Sequence, residues 1–298
     1  MILRDKPGLL QLLFALRGSV LPHILPRIVG VTMIAAALTA VDIHAAPLTH
    51  TSAAPFAVFG VALSLFLGFR NNAAYDRWWE ARKLWGQLVA DCRALAREAT
   101  LFIEDDARRE TVQRLTLAFI HHHRAQLRGL PAPQAARRWY EAEDFGTVPH
   151  PPCAALNRLN DEIIAAKQDG TIDGFGLRAL SERTGRIALA QAGCERIATT
   201  PLPYVYSLLV FRTTYLYCLL VPLALLGSAG WMTPAFVAMI AYAFFGLAEV
   251  TEELAHPFGE TVNGLPLDAM CRTIEISFAP HLGVEPPARL SPKNYYLS

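Results

Sequence analysis

The chain has 298 residues, of which 53% are hydrophobic and 18% charged, against roughly 45–50% and ~25% in an average soluble protein. A net charge of +1 excludes a nucleic-acid surface of the usual basic kind. The length leaves room for one large domain or two of ordinary size. Five cysteines, Cys92, Cys153, Cys194, Cys218 and Cys271, stand singly, which excludes a CxxC zinc site or a disulfide framework.

In chain order, charges at Arg4, Asp5 and Lys6 precede an apolar run broken at Arg17. No small-residue cleavage site follows in the right place, so a signal peptide is not expected. Four apolar stretches then stand out, at about residues 24–46, 53–69, 201–226 and 232–248. A helix rises 1.5 Å per residue, so about 20 residues cross a ~30 Å hydrocarbon core. Four such stretches predict four transmembrane helices. The segment between the first two, from Asp42 to Ser52, has no Lys or Arg, and Gly227–Trp231 between the last two has no charge. Positive residues crowd the other side, with Arg4, Lys6, Arg17 and Arg27 before the first span and Arg70, Arg77, Arg82 and Lys83 after the second. The positive-inside rule therefore places both termini and the middle section in the cytoplasm. Trp231 and Tyr204 suit interface anchors.

Residues 70–200 are too polar for membrane and too long for a linker. The pattern predicts one helix over 72–103, carrying Trp78, Leu84, Trp85, Leu88 and Leu95, and a second over 106–127. Prolines 131, 133, 149, 151 and 152 mark a loop over 129–152, and helices follow over 154–168 and 175–191. No alternation suggests a sheet. The expected organisation is all-α: residues 1–69 with two spans, 70–200 as a helical cytoplasmic region, 201–250 with two more spans, and 251–298 as a cytoplasmic tail.

Few residues invite chemistry. His121, His122 and His123 point about 100° apart on a helix, unlike the i, i+4 pairs that hold metals, so no metal and no cofactor are expected. Glu104-Asp105-Asp106 and Glu252-Glu253 fall at helix ends or solvated faces. No nucleophile elbow, P-loop or dinucleotide fingerprint occurs. Arg212 interrupts the third span, where a guanidinium costs about 2.5–3.5 kcal/mol on insertion scales. It must face water or protein, as a structural or pore-supporting group. In the second span, Ala57, Gly60, Ala62, Ser64 and Gly68 permit close helix approach, while Val61, Leu65 and Phe69 recur at i, i+4, i+8. That stripe could face lipid, a core, or, with several copies round an axis, a pore gated by dewetting.

The run Phe66-Leu67-Gly68-Phe69-Arg70-Asn71-Asn72-Ala73-Ala74-Tyr75-Asp76-Arg77-Trp78-Trp79-Glu80-Ala81-Arg82 resembles the bestrophin family, in which an apolar span runs into an N-x-x-x-x-R-W-W/F helix. Gly193-Cys194-Glu195-Arg196-Ile197-Ala198-Thr199-Thr200-Pro201-Leu202-Pro203 and Pro257-Phe258-Gly259 match in order, so the likeness spans about residues 1–280 and is nearest to bacterial members.

The resemblance implies a homopentameric ion channel in the inner (plasma) membrane, multi-pass, carrying small monovalent ions and not an enzyme. Its partners would be the lipid bilayer, its own copies and the ions. The neck rings would be Val61, Leu65 and Phe69, and a cytoplasmic constriction, counted without gaps from Gly193, would fall on Phe175. Animal members resemble anion channels and carry more than one Phe in the neck; here only Phe69 is aromatic, which leans towards cations. Animal members also follow Pro-Phe-Gly with an acidic calcium clasp, whereas here Glu260 is followed by Thr261-Val262-Asn263-Gly264. One carboxylate is a poor start for six to eight oxygen ligands, so calcium activation is not expected. Two rivals remain: a membrane-anchored metal protein or enzyme using the histidines, and a non-conducting interaction scaffold.

Overall fold

The computed structural model describes residues 1–2, 8, 15, 18–45, 48 and 51–298. Arg4, Lys6 and Arg17, part of the charge argument above, and Ala46, the end of the first apolar stretch, lie outside the described residues. The helices are α1 (Leu21–His44), α2 (Ala53–Phe102), α3 (Asp106–Leu127), α4 (Gln134–Trp139), α5 (Pro151–Gln168), α6 (Gly174–Thr199), α7 (Tyr204–Ala229), α8 (Thr233–Ala255) and α9 (Leu267–Phe278). Among the described residues there is no strand, only two isolated bridges that Tyr296 makes with Ile2 and Lys293.

The main departure from expectation is α2. The sequence pattern predicts separate helices over 53–69 and 72–103, but one helix of 50 residues, Ala53–Phe102, runs through both. After Pro55 no proline interrupts it, and Gly60, Gly68 and Gly86 are spaced too widely to break it. A change from apolar to polar composition is not a helix stop signal. The loop expected over 129–152 contains α4 and a 3-10 turn at Phe145–Thr147. Pro151 and Pro152, read there as loop markers, instead open α5, where a missing N–H costs nothing. α6 runs on to Thr199, past residue 191, and α9 was not expected at all.

Three continuous helical stretches are long and apolar enough to cross a membrane: Leu21–His44, Ala53–Phe102 and Tyr204–Ala255. The last is not one straight helix. Gly230, at φ +49°, and a 3-10 turn over Gly230–Met232 separate α7 from α8. That left-handed conformation favours glycine, which has no Cβ to clash.

The chain divides into two compact units. The apolar unit comprises residues 4–78 and 201–257. Its core is a layer of Ile24, Ile28, Val31 and Ala35 from α1, Leu63 and Leu67 from α2, Val210, Tyr217, Cys218 and Val221 from α7, and Val237, Ala241 and Phe245 from α8. The three- and four-residue spacings place each set on one helix face. Tyr217 closes on Gly60, where a Cβ would meet the phenol oxygen at 2.6 Å. Ion pairs tie the polar edge of this unit. Arg27 reaches Glu249 at 3.1 Å, and the buried Arg70 donates to Glu252 at 2.6 Å and to Ser207 at 3.1 Å.

The polar unit comprises residues 79–200 and 258–298 with the first residues of the chain. Trp85, Leu88, Cys92, Leu95 and Ala99 of α2 are buried in it, with Leu115 and Phe119 of α3, Leu159 of α5, Leu180 and Ile187 of α6, and Ile274 and Phe278 of α9. Side-chain caps set the helix starts. Asp105 accepts from the Ala107 and Arg108 N–H groups, and Asp173 accepts from Gly176; each cap is worth ~1 kcal/mol. Across it, Arg183 donates to both oxygens of Glu98 and to Asp91.

Candidate functional site

The second-span stripe is one of the apolar faces that this unit leaves open. On α2 the buried residues are Leu63 and Leu67, whereas Val61, Leu65 and Phe69 are 64%, 57% and 64% exposed. Helical register explains the split. Successive residues turn by about 100°, so the three exposed side chains share an arc of roughly 80°. The protomer gives them no cover, and the core is completed without them.

Phe175 stands at the start of α6 and is 81% exposed. It lies between two glycines. A Cβ on Gly176 would meet Phe102 and Ile172 at 2.8 Å, so that position must stay bare. Phe175 therefore projects alone. It belongs to the polar unit, while the neck residues belong to the apolar unit. Arg212, about two turns into α7, is exposed and has no hydrogen-bond or ion-pair partner among the described residues.

The histidine run is absorbed by the core of the polar unit. His121 Nε2 lies 2.8 Å from Glu275, His122 meets Phe145 edge-on, and His123 stacks between Trp85 and Phe119. No carboxylate stands at ligand spacing beside these histidines in the sequence, and folding brings Glu275 from 154 residues away. Burial pushes the Glu275 carboxyl up. Hydrogen bonding and charge from His121, a hydrogen bond from Trp139 and the charge of Arg272 outweigh this and hold it below the ordinary carboxylate value. Burial lowers His122 to about 4, helped by the His121 charge, and lowers His123 to about 3. Both therefore stay neutral at physiological pH. Among the described residues no group of three or more His, Cys, Asp or Glu is placed to hold a metal ion.

Several of the candidate acids are occupied, and two of the buried thiols are inert. Asp105 caps α3, Asp106 pairs with Arg109, and Glu252 pairs with Arg70. Glu260, after Pro257-Phe258-Gly259, pairs with Arg128 at 3.1 Å. Burial raises the Cys194 and Cys271 thiols to about 12, so neither supplies a thiolate nucleophile. Sequence reasoning missed Arg70 as a buried partner of Glu252, and no local signal could have shown it across 182 residues.

Known proteins place these features in context. The chain is 45% identical to the voltage-dependent anion channel-forming protein of Mesorhizobium japonicum, over 100% of this chain and 97% of that protein. It is 37% identical to the voltage-dependent anion channel-forming protein YneE of Escherichia coli, over 99% of each. Among solved structures, a bacterial bestrophin homologue from Klebsiella pneumoniae superposes with a TM-score of 0.80 at 31% identity, covering 90% of this chain and 100% of that one. Residues 1–280 match the family described as bacterial/fungal bestrophin protein. The chain is a member of the bestrophin family, in its bacterial and fungal branch.

Proposed function

We propose that the chain is the pore-forming subunit of a homopentameric bestrophin channel for small monovalent ions. One observation carries the reading: the apolar arc of Val61, Leu65 and Phe69 lies bare on a membrane-length helix whose other side is packed. One subunit cannot enclose a pore with a single lining helix, so this arc must converge across copies. Stacked apolar rings then form a neck that gates by dewetting. The names of the relatives, channel-forming proteins, support the same function.

In this reading α1, the first part of α2, α7 and α8 make four spans of the inner membrane, and residues 79–200 and 258–298 form the cytoplasmic part with both termini. At 1.5 Å per residue, the 24, 26 and 23 residues of α1, α7 and α8 each suffice for a ~30 Å core. The divided charge pattern of the loops supports the orientation. Burial of the histidines in the core removes the motive for a metal enzyme.

The relatives' names favour anions, whereas a neck with one aromatic ring favours cations, because aromatic edges supply the positive field that anions need. Our reading is cations, and the reversal potential decides it. The protein in detergent should have the mass of five subunits, and in liposomes it should pass current with a reversal near the cation equilibrium potential. A monomer or dimer would remove the pore. Current reversing at the chloride potential would establish the anion reading.

Phe175 is proposed as the exit constriction, on its solitary projection from the start of α6. Phe175→Ala should raise the permeability of large ions relative to small ones by about tenfold, since tenfold needs only about 1.4 kcal/mol off a barrier. Bi-ionic reversal potentials with a small and a bulky organic ion measure this. An unchanged ratio would place the constriction elsewhere.

A further inference from the structure

The neck arc does not end at Phe69. α2 continues unbroken through residue 78, so its register can be followed past the last apolar ring. Counting about 100° per residue from Val61, Leu65 lies near 40° and Phe69 near 80°. Asn72 then falls near 20° and Asp76 near 60°, both inside the arc already defined. Both are exposed. Asp76 stands about 10 Å below Phe69 along the helix.

The other charges of this stretch are turned away. Between residues 53 and 78 the charged residues are Arg70, Asp76 and Arg77. Arg70 falls near 180° and Arg77 near 160°, opposite the arc. The structure shows both used inside the subunit: Arg70 on Glu252 and Ser207, and Arg77 through Nε on the Ala255 carbonyl at 2.7 Å. Asp76 has no hydrogen-bond or ion-pair partner among the described residues, although Arg77 is its neighbour in sequence. This stretch of α2 thus takes its two arginines inward and leaves one unpaired carboxylate on the open arc.

We infer that Asp76 sets the ionic preference of the channel: with one carboxylate from each copy it forms an acidic ring below the neck that concentrates monovalent cations and repels anions. The inference rests on the pore reading above. Rings of Asp or Glu are a general device of cation selection, acting through local concentration at the mouth of a narrow path. The next cations in the sequence are Arg82, near 300° and off the arc, and the exposed Lys83, near 40° and on it, six and seven residues on. Seven residues of helix span about 10 Å, more than the ~8 Å Debye length at physiological ionic strength, so they screen the ring only partly. Asn72, one turn above, adds neutral amides that tolerate a hydrated ion between the carboxylates and Phe69.

The test is the reversal potential of the full chain in planar bilayers under a NaCl gradient, for wild type, Asp76→Asn and Asp76→Glu. Asp76→Asn preserves shape and removes the charge. It should lower the cation-to-anion permeability ratio by about threefold or more, with the assembled mass unchanged, and Asp76→Glu should restore it. The direction is the same whichever ion the wild type prefers. The wild type supplies a second measurement, since its bias towards cations should shrink as ionic strength rises and the Debye length contracts. Conduction by Asp76→Asn with the wild-type ratio would overturn the inference and leave the pore standing, as would a wild-type ratio independent of salt. A wild type that carries no current would overturn the pore, and this ring with it.

Discussion

Leu65→Asn is expected to raise single-channel conductance by about tenfold, while Leu65→Ala raises it much less. An apolar ring offers an ion nothing in exchange for the water it must shed, and a narrow apolar segment empties of water altogether. Asn is close to Leu in size, so it changes the polarity of the ring without widening it; Ala widens it without changing its polarity. A barrier lower by only about 1.4 kcal/mol gives tenfold more current. The substitution should leave the subunit intact, because Leu65 is more than half exposed and takes no part in the apolar core. Leu67, two residues on, is fully buried in that core. Leu67→Asn would bury an amide among Ile, Val and Phe side chains at a cost of about 1–3 kcal/mol, so assembled protein should be lost rather than current gained. Recordings in symmetric salt, with the yield of assembled protein for each variant, give both readouts. If Leu65→Asn carries no more current than the wild type, the second ring is not the barrier.

The contrast between Leu65 and Leu67 also marks how far the sequence could be read. Composition announces a membrane helix over 53–69, and i, i+4, i+8 spacing announces a stripe, but spacing does not say which stripe the subunit buries. That depended on α1, α7 and α8 packing against the other face, with Tyr217 seated on Gly60. The limits of α3 were legible because Asp105 is a cap residue with a local hydrogen bond. The start of α5 was not, because proline reads as a breaker unless it is known to stand in the first turn. The joint between the second span and the helix after it was invisible for another reason: a helix can leave the membrane without ending. Least legible were the pairs between distant residues. Arg183 finds Glu98 and Asp91 from 85 and 92 residues away, and nothing in the neighbourhood of any of the three predicts it.

Acidification should destabilise the polar unit well above the pH at which carboxylates titrate. His122 and His123 are neutral in the folded chain because burial lowers them to about 4 and about 3 from an ordinary 6.5. Around His122, the charges of His121 and Arg137 reinforce the effect and Asp144 opposes it; around His123, His150 reinforces it. His123 has Trp85 and Phe119 stacked on it, and both ring nitrogens lack partners. Protonating it would place a cation where no acceptor waits. The unfolded chain takes up these protons as pH falls through 6.5 and the folded chain does not, so the stability is fully present above that value. Below it, stability is lost at up to ~1.4 kcal/mol per pH unit for each histidine, on the order of 4 kcal/mol for the two by about pH 5. Glu275 adds to the loss only at lower pH, since its carboxyl is held below the ordinary carboxylate value and its contribution disappears as that group protonates. His123→Phe keeps an aromatic ring in the stack and removes the titration, so it should roughly halve the slope between pH 6.5 and 5. Thermal midpoints of the purified protein across that range, for wild type and His123→Phe, measure it. A wild-type midpoint that stays level down to pH 5 would mean that the folded histidines accept protons freely, against the burial that the stacked rings impose.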